Sequence, residues 1–337
     1  MKHYFFLLLF CGISVISFSQ KITGKVLDNE TNEPLLGVAI YYDNTSIGVT
    51  TDDNGEFSII FKNLKTSLVF SYLGYQTEKI ITYNPNESIE ISLKRSNENL
   101  DEVVIYSKGW TREMMLKEFT KHYFGKTLNG KSCQLMNPEE LKLRYDSKKK
   151  SLNAYSKSPL TFRNVRLKYL ITVELEVFEL YYKYVSKSLK TKTLDYVHYL
   201  GSNFYTSMQP NPTKETKKIR KETYRGSVLH FMRAIANKSL AKDGYSIFVA
   251  GVPVKAGRYI NSYKDDFSEF IKVRLKMPLT IRYKNEFISQ IKSFTEYFTI
   301  DSFGNHAPTD LVRFGGYLGG QRMGDTLPLD YLHKNRN

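Results

Sequence analysis

Apolar and polar residues alternate with a period of two through the first part of the chain. Ile22, Gly24 and Val26 alternate with Lys21, Thr23 and Lys25, and Val38, Ile40 and Tyr42 with Ala39, Tyr41 and Asp43. The same period returns at Leu68, Phe70 and Tyr72 and at Ile89, Ile91 and Leu93. Each run presents one apolar face, as a half-buried strand requires. Between the runs stand Asn32-Glu33-Pro34, Asp52-Asp53-Asn54-Gly55 and Leu73-Gly74-Tyr75, residues that supply the fixed or positive φ of turns. Residues 21–95 are therefore expected to form an all-β sandwich.

The pattern changes further along. Met114, Met115, Phe119, His122 and Tyr123 fall at helical spacing within residues 110–124, with Thr111 placed to cap them. Residues 167–178 set Tyr169, Ile171, Val173, Leu175 and Val177 against Lys168, Thr172, Glu174 and Glu176, which predicts one long strand. Helical spacing returns in residues 227–240 through Leu229, Met232, Ala236 and Leu240, and a strand is expected at 247–249 after Asp243-Gly244. Residues 274–283 and 287–300 are β-rich. The expectation for residues 110–337 is an α+β domain with a tyrosine-rich sheet, so the whole is multi-domain, with residues 96–109 as a polar linker.

Four motifs of the first region carry a resemblance. Gly24-Lys25-Val26, Glu33-Pro34-Leu35-Leu36-Gly37-Val38, Ser46-Ile47-Gly48-Val49-Thr50-Thr51-Asp52-Asp53-Asn54-Gly55-Glu56-Phe57-Ser58 and Ser71-Tyr72-Leu73-Gly74-Tyr75 occur in the order found in the carboxypeptidase-like regulatory domain. The region resembles that family, which implies a transthyretin-like Greek-key sandwich of seven strands in an exported protein of Bacteroidetes type. The domain often precedes TonB-dependent receptors, with a Leu-Asp-Glu-Val-Val run after it, and Leu100-Asp101-Glu102-Val103-Val104-Ile105 stands in that place. The residues that follow are too few for a plug and a 22-stranded barrel, so a full receptor is not expected. Two later stretches, from Glu222 to Ile235 and from Gly316 to Tyr331, resemble uncharacterised proteins that carry the same N-terminal module; the likeness implies architecture and export, not an activity.

Residues 1–20 look like a cleaved signal peptide. Lys2 and His3 precede an apolar run from Phe5 to Phe18 that is too short to span a bilayer, with small residues at Ser17 and Ser19. The mature chain is expected to lack a transmembrane helix, since the longest later apolar stretch is broken by Lys168, Glu174, Glu176, Glu179 and Lys183. Only Cys133 would then remain, expected as a buried apolar residue rather than a nucleophile. Charge divides along the same boundary: residues 21–98 hold 7 Lys/Arg against 11 Asp/Glu, and residues 99–337 hold 41 against 23.

Catalytic signatures do not assemble. A zinc carboxypeptidase needs a His-x-x-Glu pair and a distant His, but His122, His198, His230, His306 and His333 are followed three residues on by Gly125, Gly201, Arg233, Thr309 and Arg336. Ser239-Leu240-Ala241-Lys242 matches a Ser-x-x-Lys spacing that recurs elsewhere in this Ser- and Lys-rich chain. Gly315 and Gly320 have phosphate-loop separation, yet Gln321-Arg322 replaces the Lys-Ser/Thr pair. That end is expected to be a tight turn with Arg322 paired to Asp325, and residues 52–55 a hairpin turn rather than a calcium loop. Ser227 and His230 are expected as a helix cap and a packed imidazole. No residue is assigned to catalysis, a cofactor or a metal.

Binding or scaffolding in the cell envelope is therefore the expected function. Expected partners are an envelope glycan, lipopolysaccharide or an outer-membrane protein. Tyrosines suit such contacts because the ring stacks and the hydroxyl hydrogen-bonds. The basic runs at Lys148-Lys149-Lys150, at Lys187, Lys190 and Lys192, and over residues 214–221 with Arg220 are expected as solvated surface or as contacts for anionic polymers. Nucleic acid is disfavoured in an exported protein. Two rivals stand beside this expectation. One is a hydrolase in which Glu222, Asp301, His230 or His306 converges with Arg322. The other is an accessory partner of an outer-membrane transporter.

Overall fold

The computed structural model describes residues 20–96, 109–186 and 191–332. Residues 1–19 of the expected signal segment (1–20), most of the expected linker, the run at 100–105 and Lys187 and Lys190 of the expected basic surface lie outside the described residues. The architecture is mostly β, with several sheets and few helices, and its apolar side chains gather in three cores.

The first core lies between two sheets. Strands β1 (Lys21–Asp28), β2 (Ala39–Tyr42), β3 (Gly48–Thr50), β4 (Glu56–Ile60), β5 (Leu68–Ser71), β6 (Glu78–Ile80) and β7 (Ile89–Leu93) pair in the orders β4-β1-β7 and β3-β2-β5-β6. Ile22, Val26, Ile40, Phe57, Ile59, Leu68, Phe70 and Leu93 fill the space between them. Asp52 Oδ1 accepts the backbone N–H groups of Asn54 and Glu56 and closes a tight turn, but the turn carries the chain from β3 in one sheet to β4 in the other, so the expected hairpin is not formed there. Strands β2 and β5 depart from the period of two: Tyr41, Val69 and Ser71 are buried as well as their neighbours. The reason is that the outer face of this sheet lies against the rest of the chain.

The second core belongs to a six-stranded sheet. Strands β8 (Cys133–Leu135), β9 (Leu141–Asp146), β10 (Ser151–Ser156) and β11 (Leu160–Asn164) assemble around β12 (Tyr169–Ser186) in the order β8-β11-β12-β10-β9, and β13 (Thr191–Ser207) pairs along the length of β12. Helix α1 (Arg112–Tyr123) covers the inner face with Met115, Phe119 and Tyr123, and Thr111 caps it by accepting the Met114 N–H. A register shift between Leu175 and Val177 inserts Glu176 into β12. Buried positions change there from Ile171, Val173 and Leu175 to Phe178, Leu180 and Tyr182, so Val177 leaves the inner face on which simple alternation places it.

Helix α3 (Lys214–Tyr224) lies against the second core through Ile219, while the third core packs α4 (Val228–Ala236) with two more sheets. These contain β14 (Tyr245–Val249), β15 (Val252–Val254), β16 (Ile260–Lys264), β17 (Ile271–Leu275), β18 (Leu279–Tyr283), β19 (Phe287–Ser293), β20 (Phe298–Ile300), β21 (His306–Ala307) and β22 (Val312–Gly315), in the orders β15-β14-β18-β19-β22 and β16-β17-β20-β21. Helix α4 buries Phe231, Met232, Ala234 and Ile235 against them. A short helix α5 (Gly316–Gly320) follows β22. No helix among the described residues is long and apolar enough to cross a membrane.

The β-sandwich is fastened to both other bodies. Asn44 N–H donates to Asn203 O at 2.8 Å, Tyr205 N–H to Thr45 O at 3.0 Å, and Asn203 N–H to Asp43 Oδ1 at 2.7 Å. Tyr41 packs on Phe204 with ring centroids 4.9 Å apart, while Ser71 donates to the buried Glu174 and Lys79 pairs with Glu176. From the third body, Phe303 enters the sandwich core, and Asp301 Oδ2 accepts the Lys65 N–H at 3.0 Å.

Candidate functional site

A cleft of about 440 Å³ opens where the second and third bodies meet. Its first wall starts at Thr127, which caps the single-turn helix α2 (Leu128–Lys131) by accepting the Gly130 N–H at 3.0 Å. Asn129 on that turn accepts from Arg166 Nε at 3.1 Å and donates to Thr223 Oγ1 at 3.0 Å. Helix α3 supplies Ile219, Glu222 and Thr223, and the glycine-rich end supplies Tyr317, Gly320, Gln321 and Asp325.

Two glycines allow the walls to close. A Cβ on Gly324 would sit 2.4 Å from Gly130 Cα and from Phe124 O, and one on Gly130 would sit 2.4 Å from Phe124 O, so only bare backbone fits. Gly324 N–H donates to Phe124 O at 3.1 Å, and Asn164 Nδ2 donates to Gly324 O at 2.9 Å. Gln321 then ties the segment to α4: its Oε1 accepts the Val228 N–H at 3.2 Å and its Nε2 donates to Gly226 O at 3.3 Å. The two C-terminal stretches singled out in the sequence thus touch each other, and both contribute to this cleft.

Asp325 is the chemically distinctive residue of the site. Its Oδ1 accepts from Thr127 Oγ1 at 2.7 Å and from Asn129 Nδ2 at 3.3 Å, whereas its Oδ2 is buried with no hydrogen-bond partner. Burial pushes the carboxyl above its usual range, against the opposing effect of the Thr127 and Asn129 hydrogen bonds. An unpaired buried polar atom costs about 1–3 kcal/mol, which a donated or accepted hydrogen bond removes. Tyr317, 40% exposed, rests on Phe287 with centroids 4.3 Å apart and adds an aromatic surface to the same cleft.

The five residues considered for a hydrolytic centre are not brought together. Glu222 lines the cleft, but Asp301 accepts the N–H groups of Lys65, Phe303 and Asn305 and closes a loop against the sandwich. His230 lies in the third core, where Nδ1 contacts the Gly226 N–H at 3.1 Å and the Tyr245 hydroxyl at 2.9 Å; burial holds its pKa below the usual range. Its own N–H is accepted by Ser227 Oγ, the expected cap. His306 is half-buried between Phe298 and Phe314, where desolvation lowers its pKa to about 4. The expected Arg322–Asp325 pair does not form: Arg322 Nη1 instead donates to the Gly319 and Gln321 carbonyls at 2.8 Å, because the turn leaves those oxygens closer to the guanidinium. Arg220 is likewise no surface cation; it lies 3.8 Å from the Tyr169 ring centroid and donates to Leu167 O and Lys168 O.

Burial pushes the Cys133 thiol up to about 12, so it stays protonated at neutral pH. Among the described residues no cluster of three or more His, Cys, Asp or Glu is placed to hold a metal. Asn129, Thr223 and Tyr317 are cleft residues that sequence reasoning missed. Thr223 and Tyr317 do fall in the two C-terminal stretches singled out above, and for Asn129 the local signal was Thr127 with Gly130 three residues on.

Comparison with known proteins bears on the sandwich. Residues 22–105 match the family described as CarboxypepD_reg-like domain. TonB-dependent receptor P39 of Formosa agariphila is 30% identical over 105 residues, covering 31% of this chain and 10% of that protein. TonB-dependent receptor SusC of Bacteroides thetaiotaomicron is 32% identical over 110 residues, covering 32% of this chain and 11% of that protein. The chain spans about a tenth of the length of these relatives. With seven strands in two facing sheets and the family match over the same residues, the N-terminal portion of this chain is a CarboxypepD_reg-like domain.

Proposed function

We propose that the chain is an exported envelope protein that acts by binding, and that the cleft at Asp325 receives an uncharged, hydroxyl-rich ligand such as a glycan segment. The observation that carries this reading is the cleft lining itself, in which Thr127, Asn129, Thr223, Gln321 and Arg166 are gathered beside the exposed Tyr317 ring. Arg166 and Glu222 bring opposite charges to the lining, which favours a ligand recognised by hydrogen bonds and ring stacking over an ion. Export is supported by the apolar run near the N-terminus, and an envelope location by the receptor relatives that share the N-terminal domain.

Titration calorimetry of the mature chain against a panel of neutral oligosaccharides tests the reading. At least one should bind, and Tyr317→Ala or Asp325→Ala should weaken it about tenfold, roughly 1.4 kcal/mol, while thermal unfolding shows the variants folded. Binding unchanged in both variants, or no binding across the panel, contradicts it. A second reading, an accessory partner of an outer-membrane transporter, is favoured by the shared domain. It predicts that the chain co-purifies with a barrel protein in mild detergent, and recovery without one counts against it.

A further inference from the structure

The sheet around β12 has two unequal halves on its outer face. The sandwich covers one half, at Thr172, Glu174, Ser202 and Phe204. The register of β9, β10, β12 and β13 lays out the other half as cross-strand rows. Tyr155 lies opposite Lys142, in the row that leads to the Val177 and Leu200 pair. The next row is Arg144, Asn153, Glu179 and His198, and the third is Asp146, Ser151, Tyr181 and Tyr196.

Large side chains stand open there. Tyr155 is 45% exposed, Tyr196 50% and Leu200 49%, and Tyr196 stacks on Tyr181 with centroids 4.5 Å apart. Lys142 and Arg144, with the turn lysines Lys148, Lys149 and Lys150, outnumber the carboxylates Asp146, Glu179 and the exposed Asp195 beside Tyr196. Asp146 is occupied by the N–H groups of Lys148 and Lys149, and Glu179 lies 3.7 Å from His198.

We propose that this open half-face is a docking surface for an acidic polysaccharide strand. The excess of cations fits a polyanion. The tyrosine rows lie about 13 Å apart along the strands, at roughly 3.3 Å per residue, so rings at both ends of the patch can stack on sugars of one chain. The row between them offers Asn153, Glu179 and His198, groups that bond hydroxyls. This surface is separate from the cleft, and its ligand carries charge where the cleft's does not.

Affinity electrophoresis of the mature chain in gels containing alginate, dextran or no polymer tests the proposal, with single-stranded DNA and anionic phosphatidylglycerol vesicles as competitors. Alginate alone should retard the chain. Tyr196→Ala and Arg144→Ala should each weaken that retardation at least threefold, Tyr196→Phe should retain it, and the cleft variant Tyr317→Ala should leave it unchanged. Both substituted side chains are exposed, so unfolding temperatures near that of the parent separate lost binding from lost structure. Three results overturn the proposal: no retardation by alginate, retardation insensitive to Tyr196→Ala, or competition by DNA or vesicles stronger than by free alginate oligomers.

Discussion

Single half-buried ionisable residues set how this protein should respond to pH. Asp43 accepts the Asn203 N–H inside the sandwich contact, and burial raises its carboxyl to about 6. An unfolded aspartate titrates near 4, so from about pH 4 to 6 the folded chain holds a proton that the unfolded chain has lost, and this residue's contribution to stability falls as pH rises. His306 acts in the opposite sense: burial lowers its pKa to about 4 while the unfolded imidazole titrates near 6.5, so its contribution falls as pH drops through that window. Thermal unfolding between pH 4 and 8 should show Asp43→Asn losing more stability on acidification than the parent and His306→Phe losing less. Parallel profiles for all three would contradict this account of burial. The Ser227 cap was legible because its helix begins with the right spacing; the burial of Asp43 was not, since it depends on Asn203, far away in sequence.

At the level of elements, one arginine links the third body to the sandwich. Arg233 on α4 donates from Nε to Phe303 O at 2.9 Å, from Nη1 to Tyr331 O at 2.7 Å and from Nη2 to Leu329 O at 2.7 Å. It thereby holds both the loop that carries Phe303 into the sandwich core and the tail whose Leu329 N–H donates to Asn44 O at 2.8 Å. Arg233→Ala should destabilise the chain by about 2–4 kcal/mol, since three charged hydrogen bonds are lost together. Denaturant melts should show the loss, and limited proteolysis should show faster cleavage near residues 301–305. An unchanged midpoint would show that the contacts are dispensable. Helix α1 and strand β12 were readable from their periods. The bulge at Glu176 was not, because an exposed charged residue fits simple alternation equally well. Strand β13 was missed because Tyr196 and Leu200 point outward while Val197 and Tyr199 pack inward, so large apolar residues fall on both faces and blur the alternation.

Across the whole molecule, the N-terminal domain is a fixed part of the architecture, with sheet face, Phe303 loop and C-terminal segment all engaged against it. Its strands were legible because turn residues and alternation agree with one another. The cleft was not, since it forms from α2, α3 and the glycine-rich end, three segments whose meeting no local pattern records. The central claim is that the chain binds its ligand in that cleft. Hydrogen–deuterium exchange of the mature chain, with and without a neutral oligosaccharide selected by calorimetry, tests this most directly. Slower exchange confined to residues 128–131, 219–223 and 316–325 is the predicted result; protection elsewhere with none in these segments would contradict it.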